Sequence, residues 1–118
     1  MYRLWIILGG LAGLTGVGMA AAAAHLLGPR LPQVGLVQTG AQMQMWHALA
    51  LLLCGIRAER GGKGHWAAAA FALGILAFSG GLYARAFGLP RLPGLVPLGG
   101  ILLMLGWLLL TLSALRRR

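Results

Sequence analysis

The sequence predicts an all-α membrane protein, a four-transmembrane-helix bundle built from two parallel two-helix repeats. Three observations carry this. The chain is 59% hydrophobic and 9% charged, against 45–50% apolar and about 25% charged residues in soluble domains, so lipid must be its solvent. Apolar runs close to the ~20 residues that span a bilayer's hydrocarbon core recur four times. The chain also partly matches itself: Trp5 aligns with Trp66 and Trp46 with Trp107, at one common displacement.

The first span is expected over about Leu4 to Leu27. It ends at Gly28-Pro29-Arg30-Leu31-Pro32, where two prolines forbid a continuing helix. A signal peptide is the rival reading, because Ala20 to Ala24 offers small residues for cleavage. The apolar stretch exceeds the typical 7–15-residue signal core, so it reads as a helix. The second span is expected over about Ala41 to Ile56, with a start one turn earlier as an option. Arg57, Glu59, Arg60 and Gly61 to Gly64 then read as a charged, glycine-rich turn. The third span covers about His65 to Phe87 and the fourth about Leu95 to Leu115. The proline- and glycine-bearing turn Gly88 to Gly94 joins them. The whole chain, 1–118, forms one domain, with repeat one at about 1–57 and repeat two at about 62–118.

Ten Lys and Arg face one acid, Glu59, for a net charge of +9. The basic residues sit at the ends of apolar runs, where they anchor helices to headgroups, and no soluble basic module remains to bind nucleic acid. Four spans place Arg3, Arg57, Arg60, Lys63, Arg116, Arg117 and Arg118 on one side, and Arg30, Arg85 and Arg91 on the other. The positive-inside bias therefore puts both termini in the cytoplasm of a multi-pass protein of the inner (plasma) membrane. A single cysteine, Cys54, permits no intramolecular disulfide.

Pro29-Arg30-Leu31-Pro32 repeats as Pro90-Arg91-Leu92-Pro93, Gly13 aligns with Gly74, and Met43 with Met104. Both halves would cross in the same direction, related by a rotation of about 180° around the membrane normal. Reuse of interfacial Trp and Pro-Arg residues is the alternative source of the likeness. Gly9, Gly13, Gly16, Ala20 and Ala24 line one face of the first helix, and Ala70, Gly74, Ala77, Gly81 and Ala84 one face of the third. Such stripes let helix backbones approach, and contact within the bundle is the expected use.

Polar residues inside a span need partners or a cavity. His25, Gln44, His47, Ser79 and Tyr83 count to depths of roughly 3 to 12 Å below the outer boundary, so three helices place them in one outer slab. Arg30, Arg85 and Arg91 border that end as candidates for anion or headgroup contact. A hydrogen-bonded cluster, a pocket for a lipid headgroup, quinone or small anion, and a haem site are the readings. His47 is expected to point inward and to bond, directly or through water, at least one of Gln44, Ser79, Tyr83 or His25. Ser79 and Tyr83 lie opposite the small face of their helix, so both faces need protein contact. No carboxylate pair, triad or metal-ligand set is present, and no catalytic residue, metal ligand or cofactor is assigned.

These residues also carry a resemblance. Ala24-His25, then Gln44-Met45-Trp46-His47-Ala48-Leu49-Ala50-Leu51, Phe78-Ser79-Gly80-Gly81-Leu82-Tyr83, Pro97-Leu98-Gly99-Gly100 and Gly106-Trp107 resemble the family called domain of unknown function 423, relatives of the animal transmembrane protein 256. Ala20 and Ala23 stand where that family usually has glycine, and Trp46 where it has Tyr. The resemblance implies a small bacterial inner-membrane protein of four helices and supplies no activity. The expectation is a non-enzymatic accessory subunit or lipid-associated factor; the alternative is a quinone- or haem-binding module using the polar cluster. Its partners would be membrane lipid and another membrane subunit or a second copy of the chain, not nucleic acid.

Overall fold

The computed structural model describes residues 1–27, 33–61, 63–90 and 93–115, which form helices and no strand. Helix α1 (Tyr2–Ala22) runs on as a π-helical stretch, Ala23–Leu27. It is followed by α2 (Val34–Gly61), α3 (His65–Ala86) and α4 (Leu95–Leu115). The fourth helix has the predicted bounds and the third stops one residue short of them. The first proline motif, Arg30, Arg91 and Arg116 to Arg118 lie outside the described residues.

The end of α3 is set by local chemistry. Leu89 N–H donates to the Ala84 carbonyl at 2.8 Å and Gly88 N–H to that of Arg85 at 3.3 Å, with Gly88 at φ 72°. This arrangement satisfies the last carbonyls of the helix and requires a left-handed residue, which glycine supplies without strain. Pro90 follows and cannot resume a helix. At the other end, Gly64 has φ 101°, and a Cβ there would meet the Cys54 carbonyl oxygen at 3.0 Å.

Helix α2 corrects two expectations. It begins at Val34 rather than near Ala41, and it continues through Arg57, Glu59 and Arg60, which are helical. Gln38, Thr39 and Gln42 interrupt the apolar run, yet Val37, Gly40, Ala41, Gln44, His47, Ala48, Leu51, Cys54, Gly55 and Ala58 are all buried. Those positions recur at helical spacing, so one packed face extends through the polar start. Near its other end, Arg57 Nη2 donates to the Ser113 carbonyl at 3.1 Å. That carbonyl belongs to the last turn of α4, where oxygens lack intrahelical donors and a cation meets the helix dipole favourably.

Helices α2 and α3 form the centre; α1 packs on α2 and α4 on α3. Between α1 and α3 the contact is slight, and α1 and α4 share no comparable packing. A closed two-fold arrangement would repeat the α2–α3 contact as α4–α1, and the structure shows the first alone. The Cα extents are 51 × 27 × 19 Å. Half of the α3 span (50%) is buried, against 17% for α1 and for α4, so the outer two helices face the surroundings.

Small residues set the helix spacing. A Cβ at Gly74 would collide with Leu103, one at Gly81 with Val96, and one at Gly99 with the Phe78 backbone. On the other flank, Gly9 receives Leu52 and Gly16 receives Met45. The α1 stripe serves only in part, because a Cβ at Gly13 meets nothing and Ala20 and Ala24 are exposed. Phe71, Leu51 and Cys54 fill the centre. Three helices, α1 with its extension, α3 and α4, are long and apolar enough to cross a membrane.

Candidate functional site

Gln44 organises the polar centre. Its amide nitrogen donates to the Ala12 carbonyl at 2.8 Å and to Thr15 Oγ1 at 2.7 Å. Its amide oxygen accepts from the Tyr83 hydroxyl at 2.7 Å. One side chain on α2 thus ties α1 to α3 at 5% exposure. Tyr83 can reach it because Gly40 lies beneath the ring, where a Cβ would stand 2.7 Å from Tyr83 Cε1. Ser79 lies alongside and donates its hydroxyl to the Gly40 carbonyl at 2.8 Å. Thr15 in turn donates to the Leu11 carbonyl at 2.9 Å.

His47 faces elsewhere. It is buried, but its partners are Trp107, whose indole N–H donates to Nε2 at 3.0 Å, and the Met43 carbonyl, 2.6 Å from Nδ1. A carbonyl only accepts and an indole N–H only donates, so the proton sits on Nδ1. The expected direct bond from His47 to Gln44, Ser79, Tyr83 or His25 is not made. The reason is rotational: three residues after Gln44, His47 is turned toward α3 and α4, where it meets Phe71 and Trp107 with ring centroids 5.8 and 5.7 Å away. Phe71 and Trp107 complete the trio edge-to-face at 5.0 Å.

The outer slab therefore separates into three places. Counted from Val34, Gln44 lies about 15 Å along α2, roughly two turns deeper than a start at Ala41 implies. His25 remains in the π-helical end of α1, exposed. Arg85 is exposed in the last turn of α3. Ser79 and Tyr83 meet α2 while Gly74 and Gly81 on the opposite face of α3 meet α4. Both faces of α3 thus have protein neighbours because α3 is an inner helix.

Because α1 and α3 flank α2 without closing over it, a groove of about 360 Å³ lies between them. Thr15, Gln44, Ser79 and Tyr83 line one end; Leu8, Leu51 and Ala72 line the other. Ala23, Val37 and Ala86 form an apolar cluster beyond Tyr83, toward the chain-turn end. Among the described residues no charged side chain lines the groove, and none form a group of three or more His, Cys, Asp or Glu suited to a metal ion. The described residues of the site offer hydrogen bonds and apolar wall, without an acid or base.

Two participants escaped sequence reasoning. Thr15 stands alone in an apolar helix, and nothing in its spacing points to Gln44. Trp107 reads as an interfacial or repeat residue, and its indole N–H finds His47 only through the α2–α3–α4 packing. A polar side chain in mid-span seeking a donor was the one available signal for it.

A family model described as a protein of unknown function (DUF423) matches residues 19–100. The UPF0382 membrane protein of Staphylococcus epidermidis is 35% identical over 118 residues, covering 97% of each chain. A UPF0382 membrane protein of Staphylococcus haemolyticus is 36% identical, covering 94% of each. The UPF0382 inner membrane protein YgdD of Escherichia coli is 34% identical over 97% of this chain and 91% of its own. No solved structure matches the chain.

Proposed function

The chain belongs to the DUF423 family of membrane proteins, and from that premise we propose that it is a non-enzymatic, lipid-associated factor of the bacterial inner membrane that holds an amphiphile in the α1–α3 groove. One observation carries this reading: a roughly 360 Å³ groove that is polar at one end and apolar along the rest. Binding sites for small molecules are concave and mostly apolar with a few placed polar groups. Ser79 in that groove donates its hydroxyl to the Gly40 carbonyl. A haem at His47 would first have to displace the Trp107 indole from Nε2.

The same reading takes α2 as a fourth crossing. Two of its polar residues, Gln44 and His47, are buried and partnered inside the protein, and α1 and α3 flank it. With both termini cytoplasmic, the halves are duplicated units joined side by side through α2 and α3. Reporters active in the cytoplasm should be active when fused after Arg118 and within 61–64, and periplasmic reporters silent there. A periplasmic signal at either position contradicts the topology.

Occupancy is tested by lipid extraction and mass analysis of the purified protein. Gly80 lines the groove, and a Cβ there meets nothing within 4 Å, so Gly80→Leu fills the groove without disturbing the helices. Wild-type protein should carry an amphiphile in near-stoichiometric amount and Gly80→Leu protein should lose it. Equal lipid content in the two contradicts the assignment.

A further inference from the structure

Resting on the groove as a lipid site, we infer that its occupant is an uncharged amphiphile with a hydroxyl head, a lipid alcohol, in preference to one whose head only accepts hydrogen bonds. The inference comes from the donors and acceptors at the polar end. Five polar hydrogens belong to the side chains there, and all five are engaged within the protein. Two on Gln44 go to the Ala12 carbonyl and Thr15 Oγ1. Those of Thr15, Ser79 and Tyr83 go to the Leu11 carbonyl, the Gly40 carbonyl and Gln44 Oε1. The amide cannot be turned over, because that would set its oxygen 2.8 Å from the Ala12 carbonyl oxygen.

What remains toward the groove is lone pairs, on Gln44 Oε1, Tyr83 Oη, Thr15 Oγ1 and Ser79 Oγ. Each can accept from a ligand O–H, and none can donate without breaking a bond already made. A hydroxyl donating to Tyr83 Oη would extend a chain through the phenol to Gln44, and each bond in such a chain polarises the next. An ester, ether, ketone or quinone would have to displace one of the internal bonds and leave its acceptor unmatched in a low-dielectric site. The charge of the head follows from the same wall: among the described residues no ionic side chain lines the groove, and against that wall a phosphate or ammonium would be desolvated without a counter-ion. Gln44 and Leu51, at the two ends, are about 10 Å apart along α2, which leaves an apolar wall for an alkyl chain. In the proposed topology the hydroxyl sits toward the outer leaflet and the chain points to the bilayer centre.

The test uses four probes added to the full-length protein in phosphatidylcholine nanodiscs, with retention read by native mass spectrometry: 1-hexadecanol against hexadecyl methyl ether, and dioctanoylglycerol against its 3-O-methyl ether. Wild-type protein should retain each alcohol about tenfold or more over its ether, and Gly80→Leu should abolish retention of both alcohols. Thr15→Val removes the acceptor for one Gln44 N–H and leaves that hydrogen free to face the groove. This exposed residue on α1 is replaced by a near-isosteric one, and the variant should gain ether binding severalfold. Alcohol and ether held equally by wild type, and both lost in Gly80→Leu, would overturn the donor preference while leaving the groove as a lipid site. No probe retained, or retention indifferent to Gly80→Leu, would overturn the groove reading and this inference with it.

Discussion

Gly99→Ala is expected to destabilise the protein by about 1–3 kcal/mol, with α4 displaced from α3. The added methyl would lie against backbone atoms, with Phe78 Cα at 2.8 Å and the Ala77 carbonyl carbon at 2.9 Å. A side chain could rotate away; a helix backbone cannot, so the whole interface must open. In lipid this contact has little hydrophobic drive behind it and depends on close van der Waals approach, which makes the loss hard to recover. Gly100→Ala is the matched control. Its nearest atoms are Phe78 ring carbons at 3.7 and 3.8 Å, and alanine favours the helix, so stability should stay within about 0.5 kcal/mol. Thermal unfolding followed by circular dichroism in one detergent compares the two. Equal midpoints would mean that α3 and α4 are not held at this distance.

Gln44→Leu should cost about 2 kcal/mol, from three hydrogen bonds at the ~0.6 kcal/mol that intramembrane bonds average. The loss comes from two sources, the missing links to α1 and a Tyr83 hydroxyl left without an acceptor. Tyr83→Phe alone should cost roughly 0.6 kcal/mol. Because a buried unpaired hydroxyl carries its own penalty, the double variant should be less destabilised than the sum of the singles. Strict additivity would show that the two side chains do not share a bond.

These expectations show where the sequence could and could not be read. Helix α4 was legible to the residue, because Pro93-Gly94 stops what precedes it and its apolar run, interrupted only by Thr111 and Ser113, continues to Leu115. The start of α2 was not. Gln38, Thr39 and Gln42 look like the end of a span when hydropathy is the only signal, but here the packed face from Val37 onward decides the helix. That displacement sets Gln44 and His47 about two turns farther along the helix; of the five polar residues Gln44, Ser79 and Tyr83 come together, while His47 and His25 lie apart from them. Direction along a helix was also hidden: Gln44 and His47, three apart, look like neighbours on one face, yet Gln44 serves α1 and α3 while His47 serves α4. The slight packing of α1 on α3 and α4 was invisible for a similar reason. Duplication suggests closed symmetry, whereas which helices touch depends on packing partners such as Gly9 with Leu52 and Gly99 with Phe78.

The central claim, that the α1–α3 groove receives a lipid amphiphile, is tested most directly by mapping where a lipid tail lies. Protein would be reconstituted with a diacylglycerol carrying a diazirine in its chain, irradiated, digested and sequenced by mass spectrometry. Adducts should concentrate on the groove residues Leu8, Leu11, Ile75 and Leu76. In Gly80→Leu protein they should fall to the level found on Ile101 and Met104, which are exposed on α4. Adducts spread evenly over the exposed residues of α1, α3 and α4, unchanged by Gly80→Leu, would contradict it.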